Sequence, residues 1–564
     1  MSKLTLQATD QLKNAIRTAM QTAIQNGSLP EAPLPDFTVE VPADHAHGDW
    51  ATNAAMVGAK NFRLPPRKIA QAIADNINLT GTYFKRVEIA GPGFLNFFYD
   101  PRFYCDVLRD VIACGDNYGR SNFGNKEKVM VEFVSANPTG PMHMGNARGG
   151  ALGDCLAAVL DAAGYDVTRE FYVNDAGNQI EKFGASLEAR YLQIYLGEDA
   201  VEFPEDGYQG DDIRERAREF ADLNGDRYVN ADSAERRDAL VKFALPKNID
   251  KMKADLEKYR IFYDVWFRES TIHEDGELQE TIDILKKRGM TYEKDGALWY
   301  RATALGAEKD EVLVRQNGHP TYFAADIAYH RNKFAKRGFD RVIDVWGADH
   351  HGHVARMKGA MDAIGLDGSK LDVVLIQLVR LVRGGEVVRM SKRTGKAIGL
   401  SDLLDEVSVD AARFYFNLRE ATSQMDFDLD LAVQQDSQNP VYYVQYAHAR
   451  ICSILKNLAA EGIFPRDCTD EELALLNSPE EIELIRHLSS YTGEIIAAAQ
   501  NYDPARITRY VIELATLFHK FYNARRVKGE AESLTAARLL LCRATAIVLR
   551  NVLSMFKITA PESM

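Results

Sequence analysis

Two loops far apart in the chain hold groups suited to phosphate. The first, Pro138-Thr-Gly-Pro-Met-His143-Met-Gly145-Asn146, lies between an apolar strand pattern and a helical one. Backbone N–H groups without helical partners and the helix dipole favour an anion at such a junction, and His143 adds a movable donor. Read alone, it is also what an ordinary strand-to-helix turn with a surface histidine looks like. The second, Val388-Arg389-Met390-Ser391-Lys392-Arg393-Thr-Gly-Lys396, is basic and comes after Gly384-Gly385; a basic loop by itself is usually solvated surface. His350, His351 and His353 have the residue type of a metal site. They open a helix and have no second ligand cluster of matching spacing, so we expect no metal held there. The six cysteines, at 105, 114, 155, 452, 468 and 542, never fall two to four apart. That spacing offers no zinc knuckle and no redox Cys-x-x-Cys pair, and we expect no bound zinc.

The elements that must position these loops are set by period and punctuation. Leu12, Ile16, Met20 and Ile24 recur every four residues and stop at Asn26-Gly27, which predicts an opening amphipathic helix. Val39-Glu-Val41, Val87-Glu-Ile89 and Phe94 to Phe97 read as short strands, and Arg67 to Ile77 as a helix behind Pro65-Pro66. Residues 1–118 thus form a small α+β domain. From Lys128 the pattern becomes strand (Val129 to Val134), Gly-rich turn and helix (Ala147 to Ala163), a βα unit. Strand and helix alternate again at Arg341 to Trp346, His351 to Ile364 and Val373 to Gln377, so two parallel half-sheets of a Rossmann-type α/β domain occupy 119–404. They flank a polar segment, about 185–300, that reads as one insertion with a hairpin at Asp295-Gly296. Beyond 405 the period is helical almost to the end, an all-α bundle. A final helix spans Leu549 to Phe556, and after it comes a non-helical tail, Lys557-Ile-Thr-Ala-Pro561-Glu-Ser-Met564.

Taken together, the two loops resemble the paired signatures of class I aminoacyl-tRNA synthetases, His-x-Gly-His and Lys-Met-Ser-Lys, in that family's order and βα setting. Asn146 stands where the family usually has its second His, and Arg389 replaces the first Lys; Asn retains a donor at Nδ2 and Arg retains the charge. Three longer stretches are similar to the arginine-specific members: Val131-Glu132-Phe-Val-Ser135-Ala-Asn137-Pro-Thr-Gly, Tyr322-Phe-Ala-Ala-Asp326, and Trp346-Gly-Ala-Asp349-His350-His351-Gly-His353. The resemblance implies ATP-dependent activation of L-arginine and its transfer to the 3' end of tRNA-Arg. Pro138, Gly145, His350, Met390 and Lys392 would hold ATP, and His143, Asn146, Ser391 and Lys392 would act at the α-phosphorus and on the leaving pyrophosphate. Such chemistry needs donors and cations aimed at developing charge. Glu132 and Asp326 would hold the arginine side chain, Ser135 and Asn137 its amino and carboxyl end, and His350 would lie alongside.

The residue types suit a guanidinium independently. That group needs planar acceptors and an aromatic wall, and Tyr322 and Asp326, four apart, share a helix face if the segment is helical. The opening domain, with Gly48-Asp-Trp50 and Gly91-Pro-Gly-Phe-Leu-Asn96, resembles the extension by which these enzymes touch the tRNA elbow. The last helices resemble their anticodon-binding bundle, with Tyr446, Arg450, Arg525 and Met564 as candidates for tRNA contact. Aromatics interleaved with Arg suit unstacked bases, although a helical core with a charged rim has the same composition. By the same resemblance the tail folds back on the bundle, and its deletion from Ile558 is expected to weaken tRNA binding with the fold intact.

Composition limits the alternatives. At 564 residues the chain needs several domains. Its hydrophobic fraction of 46% is ordinary, and the sequence contains no apolar run of the roughly 18 residues that a membrane span requires. The opening residues lack the apolar core of a secretory signal; we expect a cytoplasmic monomer. A net charge of −13 argues against indiscriminate binding to polyanions, so RNA must meet local basic patches. Mg2+ is expected only with ATP. Two other readings stay open at this point: a catalytically silent tRNA-binding paralogue, and a class I-like nucleotidyltransferase.

Overall fold

The computed structural model describes residues 3–388 and 398–564. The opening helix, Lys3–Gln25, buries Leu12, Ile16, Ala19, Met20 and Ala23 along one face, and Gly27 just beyond it takes φ +77°. It packs with the helix Pro66–Asn76 beside a four-stranded antiparallel sheet whose order is Val39–Glu40, Trp50–Thr52, Phe94–Tyr99, Phe84–Ala90. Trp50 is buried and its indole N–H donates to Tyr99 Oη at 2.5 Å, which satisfies both polar tips inside an aromatic core.

The central sheet has five parallel strands in the order Leu371–Ile376, Arg341–Gly347, Lys128–Glu132, Asp166–Val173, Val265–Arg268. In chain order the second and third strands lie on one side of the first, and the fourth and fifth on the other. The direction of winding therefore reverses between Lys128–Glu132 and Arg341–Gly347, and an open crevice forms at their carboxyl ends. Val129, Met130 and Val131 are all fully buried, as expected of a strand covered on both faces. The helix Met144–Ala162 comes after the first strand and lies close against it: a Cβ on Gly153 would come within 2.4 Å of Phe133 Cβ.

The polar segment is not one insertion, contrary to the sequence reading. Its first part, the helices Asn178–Leu196, Asp211–Asn224 and Ser233–Lys258, has a core of its own around Phe183, Leu187, Tyr191 and Phe220. Then Val265–Arg268 joins the parallel sheet as its edge strand. The second part holds a small antiparallel sheet, with Asp295 and Gly296 at φ +51° and +74° between paired Lys294 and Ala297, the hairpin turn the sequence indicated. A four-residue edge strand with Trp and Phe amid polar neighbours has no period long enough to read.

The C-terminal part is a bundle of Pro440–Ala460, Pro479–Asn501, Ala505–Ala524 and Glu532–Met555. Asn439 caps the first through Val441 N–H, with Pro440 opening it; at the second, Glu481 Oε2 accepts from Ser478 N–H at 3.0 Å, with Pro479 opening the helix. One strand lies within this largely helical region: Met425–Asp428 pairs in parallel with Val379–Arg383.

Candidate active site

The loop after Lys128–Glu132 departs at once from ordinary backbone. Val134 and Ser135 take φ +70° and +40°, a conformation that costs a β-branched residue of order 1–3 kcal/mol and is held by surrounding bonds. Those bonds are visible. Ser135 Oγ donates to Glu132 Oε1 at 2.8 Å and accepts from Tyr172 N–H at 3.1 Å. Farther on, Asn248 Nδ2 donates to Pro138 O at 2.9 Å, so a helix of the inserted region steadies the loop.

His143 is the N-cap of Met144–Ala162. Its Nδ1 accepts from Gly145 N–H at 3.1 Å, and its own N–H donates to Asn146 Oδ1 at 3.0 Å. Because Nδ1 accepts, the neutral ring carries its hydrogen on Nε2, outward from the helix start. Burial lowers the His143 pKa, favouring that neutral form. Asn146 spends its oxygen on the cap. A side chain at 145 would approach His143 Cε1 to 3.0 Å, which accounts for Gly145.

Arg389, Met390, Ser391 and Lys392 lie outside the described residues. The chain just beyond that stretch is tied to the first loop: Gly399 bridges to His143, and Leu400 N–H donates to Met142 O at 2.9 Å. Arg148, fully buried one turn into the helix, donates to Gln377 O at 2.8 Å and Glu420 O at 2.9 Å. It thereby locks the helix to the fifth strand's end.

Beside these loops, at the reversal of the sheet, lies a cavity of about 550 Å³ lined by Glu132, Ser135, Asn137, Asp326, Trp346, His350 and His353 among others. Among the described residues Asp326 faces it with one ion-pair partner, His353 Nε2 at 3.3 Å. His350 is exposed, 3.8 Å from Asp349. Both oxygens of Glu132 are engaged: Oε1 by Ser135, Oε2 by Tyr329 Oη at 2.8 Å and Lys333 Nζ at 2.5 Å. Tyr322 is not on this wall. It lines an adjoining cleft with Arg315, His319 and His273, and its hydroxyl accepts from Gln179 N–H at 3.2 Å. Four residues along a helix leave a turn of about 40° between side chains, enough to place Tyr322 and Asp326 on two sides of a rim.

The cavity floor is a buried charge network that sequence reasoning missed. Lys333 has no exposed surface and sits between Glu132 and Asp344, with Asp344 Oδ1 at 2.9 Å. His330 Nε2 lies 2.7 Å from Asp344 Oδ2 and Nδ1 2.8 Å from Asp326 O. Tyr329 Oη also lies 2.5 Å from Glu170 Oε1, so its single hydrogen stands between two carboxylates, and Arg337 pairs with Glu170. Burial would raise Asp344, yet Lys333 and His330 hold it down at about 2; burial raises Glu132, against the pull of Lys333. These side chains come from the helix Tyr322–Arg331 and a π-turn, Asn332–Lys336, that continues it; such turns re-aim side chains at functional sites. The signal available was the recurrence of Tyr329, Lys333 and Arg337 at a spacing of four.

In the bundle, Tyr446 and Arg450 do come together. Arg450 Nη2 donates to Tyr446 Oη at 2.7 Å, its guanidinium lies 4.6 Å from the Tyr446 ring and 5.2 Å from that of Tyr522, and Tyr446 stacks on His519 at 5.9 Å. Arg525 pairs with Glu480, at 2.9 Å. Met564 is exposed at the end of a tail that folds onto Pro440–Ala460: Gln445 Nε2 donates to Thr559 O and His448 Nδ1 to Pro561 O, each at 2.8 Å. Ile558 is buried. Deleting from Ile558 would therefore remove core packing as well as the tail's surface contacts.

Three family models match the chain: the arginyl tRNA synthetase N-terminal domain over 10–99, the tRNA synthetases class I (R) catalytic domain over 108–451, and the DALR anticodon binding domain over 444–564. An arginine–tRNA ligase of Acetivibrio thermocellus is 57% identical over 98% of both chains, and one of Ruminiclostridium cellulolyticum 57% over the whole of both. A solved structure from Campylobacter jejuni, described as an arginyl-tRNA synthetase, superposes with a TM-score of 0.74 at 32% identity, covering 82% of this chain and all of that one. The arginyl-tRNA synthetase of Thermus thermophilus, 23% identical, shares the fold with a TM-score of 0.73 over 98% of this chain and all of that one. With the catalytic model spanning well over half its length and relatives this similar from end to end, the chain belongs to the arginine-specific class I tRNA synthetases.

Proposed function

We propose that this chain activates L-arginine with ATP and transfers it to the 3' end of tRNA-Arg. The observation that carries the reading is the cavity at the sheet reversal, which sets a weakly engaged carboxylate, Asp326, with Ser135 and Asn137 of the loop that leads into a helix N-terminus capped by His143. An arginine side chain donates its forked N–H pair to Asp326, while Ser135, Asn137 and His350 border its other end. Glu132 acts through the shape and charge it gives the floor.

In the first step an oxygen of the arginine carboxylate attacks the α-phosphorus of ATP, which arrives with Mg2+ as part of the substrate, and pyrophosphate leaves. His143 Nε2–H and the helix N-terminus donate to phosphate oxygens there, with Pro138, Gly145 and Asn146 shaping the loop. Lys392, with Met390 and Ser391, is assigned by family resemblance to the leaving pyrophosphate. In the second step a ribose hydroxyl of the terminal nucleotide attacks the adenylate's carbonyl carbon and AMP leaves. Residues 1–118 and 405–564 are assigned to the tRNA elbow and the anticodon, with 119–404 as catalytic domain. The enzyme is read as a cytoplasmic monomer, which light scattering and cell fractionation check.

The test is charging of bulk tRNA by the purified chain with each labelled amino acid in turn. Arginine alone should become acid-precipitable. Binding of tRNA without any charging would instead identify a silent paralogue, and adenylylation without tRNA transfer a nucleotidyltransferase.

A further inference from the structure

The three parts of the chain meet at a second cavity, of about 500 Å³, bordered by the linker after the first domain, the far end of Met144–Ala162 and the helices Pro479–Asn501 and Glu532–Met555. Its chemistry is set by a hub just behind its wall. Asp154, fully buried, is, among the described residues, the one carboxylate paired with three cations: Arg413, Lys557 at 2.9 Å and Arg169 at 3.3 Å. Lys557 and Arg169 also line the cavity. Three other acids near the junction have cations of their own: Asp161 pairs with Arg120, Asp116 with Arg550, Asp410 with Arg260; Asp110 accepts from the Cys114 thiol and Asp264 from Arg169 N–H.

The hub thus carries two positive charges more than negative. Two helix C-termini at the cavity, each equivalent to about half a negative charge, offset roughly one of them. With Arg169 and Lys557 partly withdrawn from solvent, at 19% and 30% exposure, an excess positive charge there favours an accompanying anion. A second observation points the same way. Tyr491 lines this cavity with no exposed surface, and its hydroxyl has no hydrogen-bond partner among the described residues; Arg169 Nε is likewise buried without an aligned bond. Buried donors without partners are uncommon in folded chains and call for an occupant.

We propose that this three-way junction is a binding site for a small phosphate-class dianion, held by Arg169 and Lys557 with Tyr491 as a neutral donor. The occupant ties the linker, the helix that begins at His143 and the bundle together, at a place remote from the catalytic cavity.

The test is calorimetric titration of inorganic phosphate into the full chain at constant ionic strength, with the catalytic cavity saturated by a non-hydrolysable ATP analogue. The expected result is one phosphate bound per chain in the analogue's presence, with affinity at least tenfold weaker in Arg169→Gln. Ser554→Asp sets a carboxylate into the same cavity without removing a hub contact, and should abolish binding, while Ser554→Asn binds as the unaltered chain does. Loss of all phosphate binding on adding the analogue overturns the proposal, as does equal binding by the two Ser554 variants. Dimethyl phosphate forms a parallel arm: binding as tight as phosphate's would assign the site to RNA backbone and overturn the small-dianion reading. Charging activity enters none of these readouts, so failure here is distinct from failure of the proposed function.

Discussion

At the level of single residues, the cavity separates two kinds of carboxylate. Glu132 is saturated by Ser135, Tyr329 and Lys333, whereas Asp326 pairs, among the described residues, with His353 alone. Asp326→Asn should therefore lower kcat/KM for arginine by about 10- to 100-fold, the worth of a charge-assisted bond at roughly 1.5–3 kcal/mol, with KM for ATP nearly unchanged; steady-state charging with each substrate varied in turn checks this. His143 has two jobs that can be parted. His143→Ala should cost on the order of 10² to 10³ in kcat, as expected for one preorganised donor to transition-state charge, and about 1 kcal/mol of stability from the lost cap. His143→Asn retains a capping side chain, so its Tm should stay near the unaltered chain's while kcat falls as far. A His143→Ala enzyme within tenfold of full activity would reduce the ring to a cap.

Among the elements, Met144–Ala162 bears most of the burden, since its start carries the His143 cap and its flank rests on the first strand. That contact depends on a missing side chain at 153. Gly153→Ala forces a methyl into Phe133, and overpacking of this kind costs typically 1–3 kcal/mol; thermal unfolding should show the loss, together with reduced activity as the helix start shifts. In the bundle, burial and the neighbouring Arg450 depress His519 to about 4, against about 6.5 in an unfolded chain. Between those values the unfolded chain takes up a proton and the folded chain does not. The stability from neutral His519 is thus complete above pH 6.5 and is lost as pH falls toward 4. His519→Gln should lose less Tm than the unaltered chain between pH 7 and pH 5, and parallel curves would refute the assignment.

Across the whole molecule, the tail is a structural joint. Lys557 reaches Asp154 in the catalytic domain, Arg260 Nη1 donates to Lys557 O at 2.7 Å, and Arg413 Nε donates to Phe556 O at 2.6 Å. Removing Ile558 to Met564 takes away a buried Ile, worth about 2–5 kcal/mol, and should lower Tm as well as raise KM for tRNA. Removing Pro561 to Met564 spares Ile558 and the Thr559 bonds. It should raise KM for tRNA while changing stability by no more than about 1 kcal/mol, and comparison of the two truncations by thermal unfolding and charging kinetics tests the division.

Much of this was legible in the chain itself, because it depends on local chemistry. The apolar run before Pro138, the strand-to-helix loop at His143 and the Asp295-Gly296 turn state their own geometry, and the matching motifs identify the family without coordinates. Other features arise only when distant segments meet. Glu132 reads as an open carboxylate until folding brings Lys333 and Tyr329 against it from some 200 positions away. Tyr322 and Asp326 share a helix, yet a rim divides them. Tyr446 and Arg450 belong together by spacing, whereas Arg525 pairs with Glu480, a partner that no period reveals. The tail's structural hold was not legible because its partners, Asp154 and Arg260, lie in another domain. Periodicity reports the near neighbours of a residue along its element, but the partner of a buried charge is chosen by tertiary packing, where desolvation makes an unpaired ion too costly to keep.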